Sequence, residues 1–112
     1  MNTMPENEIV VVDMAGAYAR LILTRPELVP LMIRLGFVPS CDLFERPISG
    51  MEDRALIART LIQMGALFAA GHGWCPAAVA AQLQRLGRIT TGYREIAWLD
   101  SSEYRITEAQ SR

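Results

Sequence analysis

The sequence lacks lysine altogether, and it holds only one histidine and two cysteines among its 112 residues. All 11 basic residues are therefore arginine, which a GC-rich, bacterial genome explains better than a selected function does. With one histidine, no glycine-rich phosphate loop and no carboxylate pair at helical spacing, the groups that hydrolases and transferases need are missing. We therefore predict that the chain is not an enzyme and takes no cofactor.

An excess of charge of either sign is also lacking, since 11 basic residues stand against 12 acidic ones. A strongly basic balance would have favoured nucleic acid, so local arginine patches must decide that question. The longest apolar stretch, residues 55–70, is interrupted by Arg59 and Gln63 and is too short to span a bilayer. Residues 1–8 are polar and acidic and do not resemble a signal peptide, so we expect a cytoplasmic protein with reduced thiols.

Apolar residues are plentiful, at 51% of the chain, which is enough for one hydrophobic core. The length is that of one domain, so we predict a flexible tail over residues 1–7 and a single globular domain over residues 8–112.

Patterns in the first half predict mainly helices. A β-branched run over residues 9–12 predicts a short strand or the lead-in to a helix. Helices are predicted over residues 14–23, with Asp13 as the cap, and over residues 24–35, after a Thr-x-x-Glu capping box. Residues 37–50 contain prolines and a glycine and are predicted to form a loop.

The second half predicts two helices and a hairpin. The strongest apolar periodicity covers residues 52–70, where most of the helix circumference is apolar, and a shorter helix follows over residues 76–86. Alternation over residues 93–99 and 104–107, around a polar turn, predicts a β-hairpin. The expected fold is α+β and mostly helical, with about four helices before a C-terminal two-stranded hairpin. The residues expected to be buried are Ile57, Leu61, Met64, Phe68, Val79, Leu83, Leu86, Ile96 and Ile106.

The order of helix, tight break, helix and hairpin is that of a winged-helix module. Residues 104–108, Tyr-Arg-Ile-Thr-Glu, resemble the last wing strand of winged helix-turn-helix transcription regulators. Residues 76–89 resemble the recognition helix and the glycine that precede that wing. The resemblance covers about the C-terminal third of the chain.

This resemblance implies a small, non-enzymatic DNA-binding protein, such as a transcription regulator acting as a homodimer. The recognition helix would face a DNA groove, and each wing strand would place an arginine on phosphate. The DNA-binding residues that it implies are Gln84, Arg85 and Arg88 on the helix, with Arg94 and Arg105 on the wing. The alternative for the same residues is a solvated polar face beside an ordinary hairpin.

A protein–protein interaction or inhibitor module, such as an accessory or mobile-element protein without nucleic-acid binding, is the competing hypothesis. The high apolar content, the balanced charge and the incomplete helix-turn-helix spacing motivate it. A contiguous patch of the implied arginines would favour DNA. Arginines engaged by carboxylates, beside an exposed apolar patch, would favour a protein partner.

His72 and Cys75, at His-x-x-Cys spacing and with Cys41 elsewhere in the chain, raise the question of a metal or a catalytic thiol. A closed zinc site needs four ligands, and the chain offers only three such side chains. A nucleophile and a base three residues apart rarely reach each other, and no orienting acid is evident. We therefore predict neither a metal site nor a catalytic site, and interpret these residues as a polar turn before a helix.

Overall fold

The computed structural model describes residues 5–69, 75–100 and 103–108. Within these ranges the chain forms seven strands and three α-helices, and the strands join in one mixed sheet. None of those helices is long and apolar enough to cross a membrane. The prediction of a mostly helical, winged-helix-like fold with four helices is therefore wrong.

The first departure is an antiparallel hairpin of β1 (Ile9–Asp13) and β2 (Tyr18–Leu23). Of the two alternatives for residues 9–12, the strand is the one that forms, whereas the predicted helix over residues 14–23 is wrong. Ala19 and Leu21 are fully buried on one face of β2, which is the period-two burial of a strand. Asp13 caps no helix, because its Oδ1 accepts a hydrogen bond from the Ala15 amide in the turn, at 2.8 Å.

The second departure concerns the segment after this hairpin. A 3-10 turn (Pro26–Leu28) leads into the short helix α1 (Val29–Arg34), so the helix predicted over residues 24–35 is only partly formed. Thr24 does not cap it, since its Oγ1 accepts a hydrogen bond from the Glu8 amide at 2.8 Å and so ties β2 to β1. The predicted loop over residues 37–50 is wrong, because it contains two strands.

These two strands extend the sheet beyond β2. Strand β3 (Val38–Ser40) pairs with β4 (Leu43–Pro47), and β4 pairs with β2, all antiparallel. The prolines that indicated a loop lie in the outermost strand, at Pro39, and at the end of its neighbour, at Pro47. These are positions where a sheet tolerates a missing amide donor.

The third departure from the prediction is that the strongest predicted helix is shorter in the structure. Helix α2 (Met51–Gln63) ends before Gly65, whose φ of 81° is a left-handed conformation that favours glycine. The Gly65 amide bonds the Ile62 carbonyl and the Ala66 amide bonds the Leu61 carbonyl, which is a Schellman C-cap. The chain then enters strand β5 (Leu67–Ala69), whose residues were predicted to belong to the helix over residues 52–70.

The C-terminal elements are a helix and a hairpin, as predicted: α3 (Pro76–Arg85), β6 (Arg94–Trp98) and β7 (Tyr104–Glu108). Strands β6 and β7 pair antiparallel, but β6 also pairs in parallel with β5. The hairpin is therefore the edge of a larger sheet and not a projecting wing. Helix α3 is the crossover between two parallel strands, which is a different role from that of a recognition helix.

The sheet has the order β3-β4-β2-β1-β5-β6-β7, with β1, β5 and β6 parallel. All three helices pack on one face, here called the helix face, against residues such as Val11, Leu21 and Phe68. The opposite face, here called the open face, carries a smaller cluster built from Val10, Leu67, Ala69 and Ile96. No helix of the described chain contributes to that second cluster.

The predicted core is largely confirmed, although its surroundings differ. Buried residues are Ile57, Leu61, Phe68, Leu83 and Ile96. Partly buried residues are Met64, Val79 and Ile106. The predicted burial of Leu86 is wrong. This residue directly follows α3 and is 59% exposed.

Candidate functional site

Helices α2 and α3 lie next to each other on the helix face, and a groove runs between them. It contains two adjoining depressions of about 350 and 360 Å³. Glu52 and Ala55 from α2 line both depressions, as do Leu83 from α3 and Arg88 just beyond it. We refer to these two depressions and their rims as the α2–α3 groove.

Large apolar side chains are exposed around this groove. Met51 is 87% exposed and Leu86 is 59% exposed, and both line the first depression. Leu56, at 55%, lines the second. Single exposed apolar residues are ordinary on protein surfaces, but three around two adjoining depressions form a patch of the kind that binds a partner.

The end of α3 places two of the groove residues. Gly87 has a φ of 68°, its amide bonds the Gln84 carbonyl at 3.0 Å, and the Arg88 amide bonds the Leu83 carbonyl at 2.9 Å. These are the two hydrogen bonds of a Schellman motif, which turns the chain back over the last helical turn. Leu86 is thereby left outside the core, and Arg88 is brought to the groove.

Three arginines and one glutamate supply the charge of the groove, so its rim is basic. Arg54 bonds the Met14 and Gly16 carbonyls, which anchors α2 to the turn between β1 and β2. The Nε of Arg59 donates to the Arg88 carbonyl at 2.8 Å and so links α2 to the end of α3. Arg88 is exposed and, within the described ranges, forms no ion pair. Glu52 is the acidic side chain in the lining.

A smaller apolar cavity of about 80 Å³ lies on the other side of α2. Leu35 and Phe37 line it together with Leu56, which also lines the second depression of the α2–α3 groove. Leu56 therefore forms a ridge between two concave surfaces.

The start of α2 is fixed by an ion pair between Arg46 and Asp53. The Arg46 Nη1 lies 3.0 Å from the Asp53 Oδ2, which also accepts the Ser49 amide at 2.9 Å. These hydrogen bonds lower the pKa of Asp53 to about 2, with the bond from Arg46 contributing most and the bond from the Ser49 amide second. A carboxylate with this environment stabilises the fold only while it is ionised.

We expect the contribution of Asp53 to be lost on acidification. Because its pKa in the folded state lies below the ordinary value, its stabilisation is complete above about pH 4 and disappears as the pH falls towards 2. The substitution Asp53→Asn should therefore flatten the pH dependence of the free energy of unfolding in that interval, as measured by urea titration. The substitution Asp42→Asn, at an exposed carboxylate, is the control. An unchanged pH slope in Asp53→Asn would contradict the assignment.

The residues predicted to bind DNA are not gathered on one surface. Arg85 and Arg88 are exposed near the end of α3. Gln84 is partly buried, and its Nε2 is buried without a hydrogen-bond partner within the described chain. The alternation of β6 and β7 places Arg94 on the open face with Ile96, and Arg105 on the helix face. The contiguous patch that would favour DNA is therefore not formed by these five residues.

Arg94 is also engaged within the protein. Its two terminal nitrogens lie 3.0 Å from the two carboxylate oxygens of Glu8, and its Nη1 donates to the Gly65 carbonyl at 2.9 Å. Glu108 lies 3.7 Å from the Nε. The hydrogen bond to Glu8 raises the pKa of Arg94. This guanidinium joins β6 to β1 and to the end of α2, which leaves it poorly placed for phosphate.

The residues considered for a metal or thiol site are not assembled either. His72 lies outside the described residues, and Cys41 and Cys75 are both free and exposed. Across residues 5–69, 75–100 and 103–108 there is no group of three or more histidine, cysteine and carboxylate side chains arranged to hold a metal.

Comparison of the chain with protein-family models, with curated proteins and with solved structures gave no match. The interpretation of the groove therefore depends on its own geometry. The sequence analysis did not single out Met51 and Leu56 as exposed apolar residues, although the distribution of apolar residues in α2 indicated that some would be exposed. The apolar residues of α2, Met51 and Leu56 included, are spread over more of its circumference than the single face of a helix on a sheet can bury.

Proposed function

We propose that this protein is a non-catalytic protein-interaction module. Its α2–α3 groove would bind a partner segment that presents apolar and acidic side chains. The observation that carries the proposal is the cluster of exposed Met51, Leu56 and Leu86 around a concave surface rimmed by arginines.

The chemistry of the partner follows from the lining of the groove. Aliphatic and methionine side chains offer an adaptable apolar floor, which suits the apolar face of an amphipathic segment. The rim carries three arginines against one glutamate, so acidic side chains on the partner would be attracted and basic ones repelled. Arginine rims also provide paired donors for carboxylates.

The engagement of Arg94 counts against the competing DNA-binding hypothesis. Its pairing with Glu8 withdraws one of the arginines that this hypothesis would place on phosphate, although Arg94 lies on the open face and not beside the α2–α3 groove. Duplex DNA remains the competing partner, and its support is the exposed pair Arg85 and Arg88 at the end of α3. The five residues implied for DNA binding do not form one contiguous set of phosphate contacts, because Glu8 holds Arg94 on the open face, whereas tight duplex binding uses several such contacts.

A displayed library of random peptides tests the proposal, because selection from it requires no assumption about which partner binds. We expect the recovered peptides to be rich in aliphatic or aromatic and acidic residues, and to shift the amide resonances of α2 and α3. The substitution Leu86→Glu should weaken their binding by about tenfold to a hundredfold, because it puts a charge at the apolar rim and repels acidic peptides.

The chain offers a well-matched control for this experiment. Leu99 is 58% exposed, almost the same as Leu86, but lies at the end of the β6–β7 hairpin. The substitution Leu99→Glu should leave peptide binding unchanged. Peptides that bind both variants equally, or that shift only resonances outside α2 and α3, would refute the groove as the binding site.

Duplex DNA titrated over a salt series separates the two candidates. Under the protein-interaction proposal we expect no binding that weakens steeply with salt. A log–log slope of several units would indicate several phosphate contacts and would favour the DNA-binding function.

A further inference from the structure

Strand β7 ends the seven-stranded sheet, and its outer edge is not paired by any other element within the described residues. The other edge, β3, has three residues and contains Pro39, which has no amide hydrogen to donate. Short strands and prolines are the usual protections against edge-to-edge association. Strand β7 has five residues and no proline, so the two edges of the sheet differ in how well they are protected.

The hydrogen-bonding pattern of the hairpin shows which amides face outwards. The Leu99 amide donates to the Glu103 carbonyl at 2.9 Å. Hydrogen-bonded and non-hydrogen-bonded residue pairs alternate along an antiparallel ladder. Because Leu99 and Glu103 are a hydrogen-bonded pair, the backbone groups of Arg105 and Thr107 bond to β6. The amides and carbonyls of Tyr104, Ile106 and Glu108 therefore point outwards. The outer edge therefore presents the backbone groups of three alternate residues.

We propose that two copies of this chain associate through β7, antiparallel, with Ile106 opposite Ile106 of the second copy. The two seven-stranded sheets would then form one continuous sheet across a twofold axis. This interaction surface lies on β7 and is independent of the α2–α3 groove and of the function proposed for it.

The sequence of β7 is self-complementary in this register. Tyr104 lies opposite Glu108 of the second copy, on the open face, so its hydroxyl can donate to a carboxylate whose side chain is 69% exposed. Ile106 meets its own copy beside Ile96, Trp98 and Tyr104, which continues the apolar cluster of the open face across the axis. On the helix face Arg105 lies opposite Thr107, so no like charges face each other.

Neighbouring registers are less favourable. A pairing centred on Arg105 would place two guanidinium groups directly opposite each other, which destabilises a ladder. A pairing centred on Thr107 would place Ile106 opposite the carboxylate of Glu108. The register centred on Ile106 is therefore the one that the side chains of β7 favour.

Sedimentation of the full chain over a concentration series is the direct test. A five-residue edge is a small interface, so we expect a reversible dimer with a Kd of about 10 to 500 µM. The substitution Ile106→Glu should raise the Kd at least tenfold, since it brings two carboxylates together beside Glu108. Ile106→Pro should do the same by removing an outward amide.

A matched charge on the same strand provides the control and also tests the register. The substitution Thr107→Glu would face Arg105 of the second copy, so we expect an unchanged or lower Kd. A chain that remains monomeric at about 1 mM, which is about twice the upper limit of the expected Kd, would overturn the proposal. Weakening by Thr107→Glu to the same extent as by Ile106→Glu would also overturn it.

Hydrogen exchange of the unsubstituted chain keeps the proposal testable if the Ile106 variants fail to fold. The amides of Tyr104, Ile106 and Glu108 should become protected as the concentration rises, while Leu86 and its neighbours are unaffected. Amides at these three positions that exchange equally fast at low and high concentration would overturn the proposed pairing.

Discussion

Replacing Phe68 with alanine is expected to lower the free energy of unfolding by about 3–5 kcal/mol. Phe68 is fully buried in β5, the strand that lies between β1 and β6. Its ring packs against Tyr93, with ring centroids 5.7 Å apart, and it belongs to the core cluster under the helices. Truncation removes both the transfer free energy of the ring and the contacts of the atoms that surround it.

The magnitude matters because a domain of this size has a total stability of about 5–15 kcal/mol. Urea unfolding followed by circular dichroism gives the difference directly. Phe68→Leu, which preserves much of the volume, should cost less than Phe68→Ala. Leu99→Ala, at an exposed position, should change the stability by less than about 0.5 kcal/mol. A loss below about 1 kcal/mol for Phe68→Ala would contradict a central position for β5.

Burial of Phe68 was predictable from the sequence, but its secondary structure was not. The apolar spacing of Ile57, Leu61 and Phe68 fits a helix wheel, and it led to a helix that continued through β5. Gly65 is the residue that ends the helix, and a glycine two residues after Gln63 is a typical C-cap signal. Strand β5 has only three residues, too few to show an alternation that competes with a helical period.

The same limit explains the other missed strands. In β2 the alternation of Ala19, Leu21 and Leu23 with Tyr18 and Arg20 is present, but alanine, leucine and arginine are good helix formers. Local preference therefore favoured a helix, and pairing with β1 and β4 overrode it. The β6–β7 hairpin was predicted correctly because it has clear alternation and a polar turn.

The candidate site was less predictable than the core. Leu86 has the spacing of a core residue, and only the Schellman turn at Gly87 leaves it in solvent. Met51 and Leu56 face the surface because the sheet covers only one side of α2 and α3 covers only part of another. A single helix wheel contains no information about which neighbours are present.

The second prediction with a large expected effect concerns Arg94, for which the resemblance to winged helix-turn-helix regulators implied phosphate binding. Its side chain and that of Glu8 are only 23% and 21% exposed, and they form a two-point ion pair. The substitution Arg94→Ala would leave the Glu8 carboxylate and the Gly65 carbonyl without their donor. Removing one partner of a buried pair costs about 3–5 kcal/mol, so we expect about 2–3 kcal/mol for this partly exposed one.

A double-mutant cycle separates this structural role from a role in binding. Glu8→Ala should also destabilise the fold, and the double variant should lose less than the sum of the two single losses, because neither charge then remains unpaired. Arg105→Ala, at an exposed arginine of the same hairpin, should leave the free energy of unfolding nearly unchanged. Additive losses would contradict the pairing of Arg94 with Glu8. A stable Arg94→Ala variant that loses affinity for duplex DNA would instead assign Arg94 to a nucleic-acid surface. A coupled loss of stability without an effect on peptide binding would mean that Arg94 joins β1, β6 and the end of α2, and that partner recognition belongs to the opposite face of the sheet.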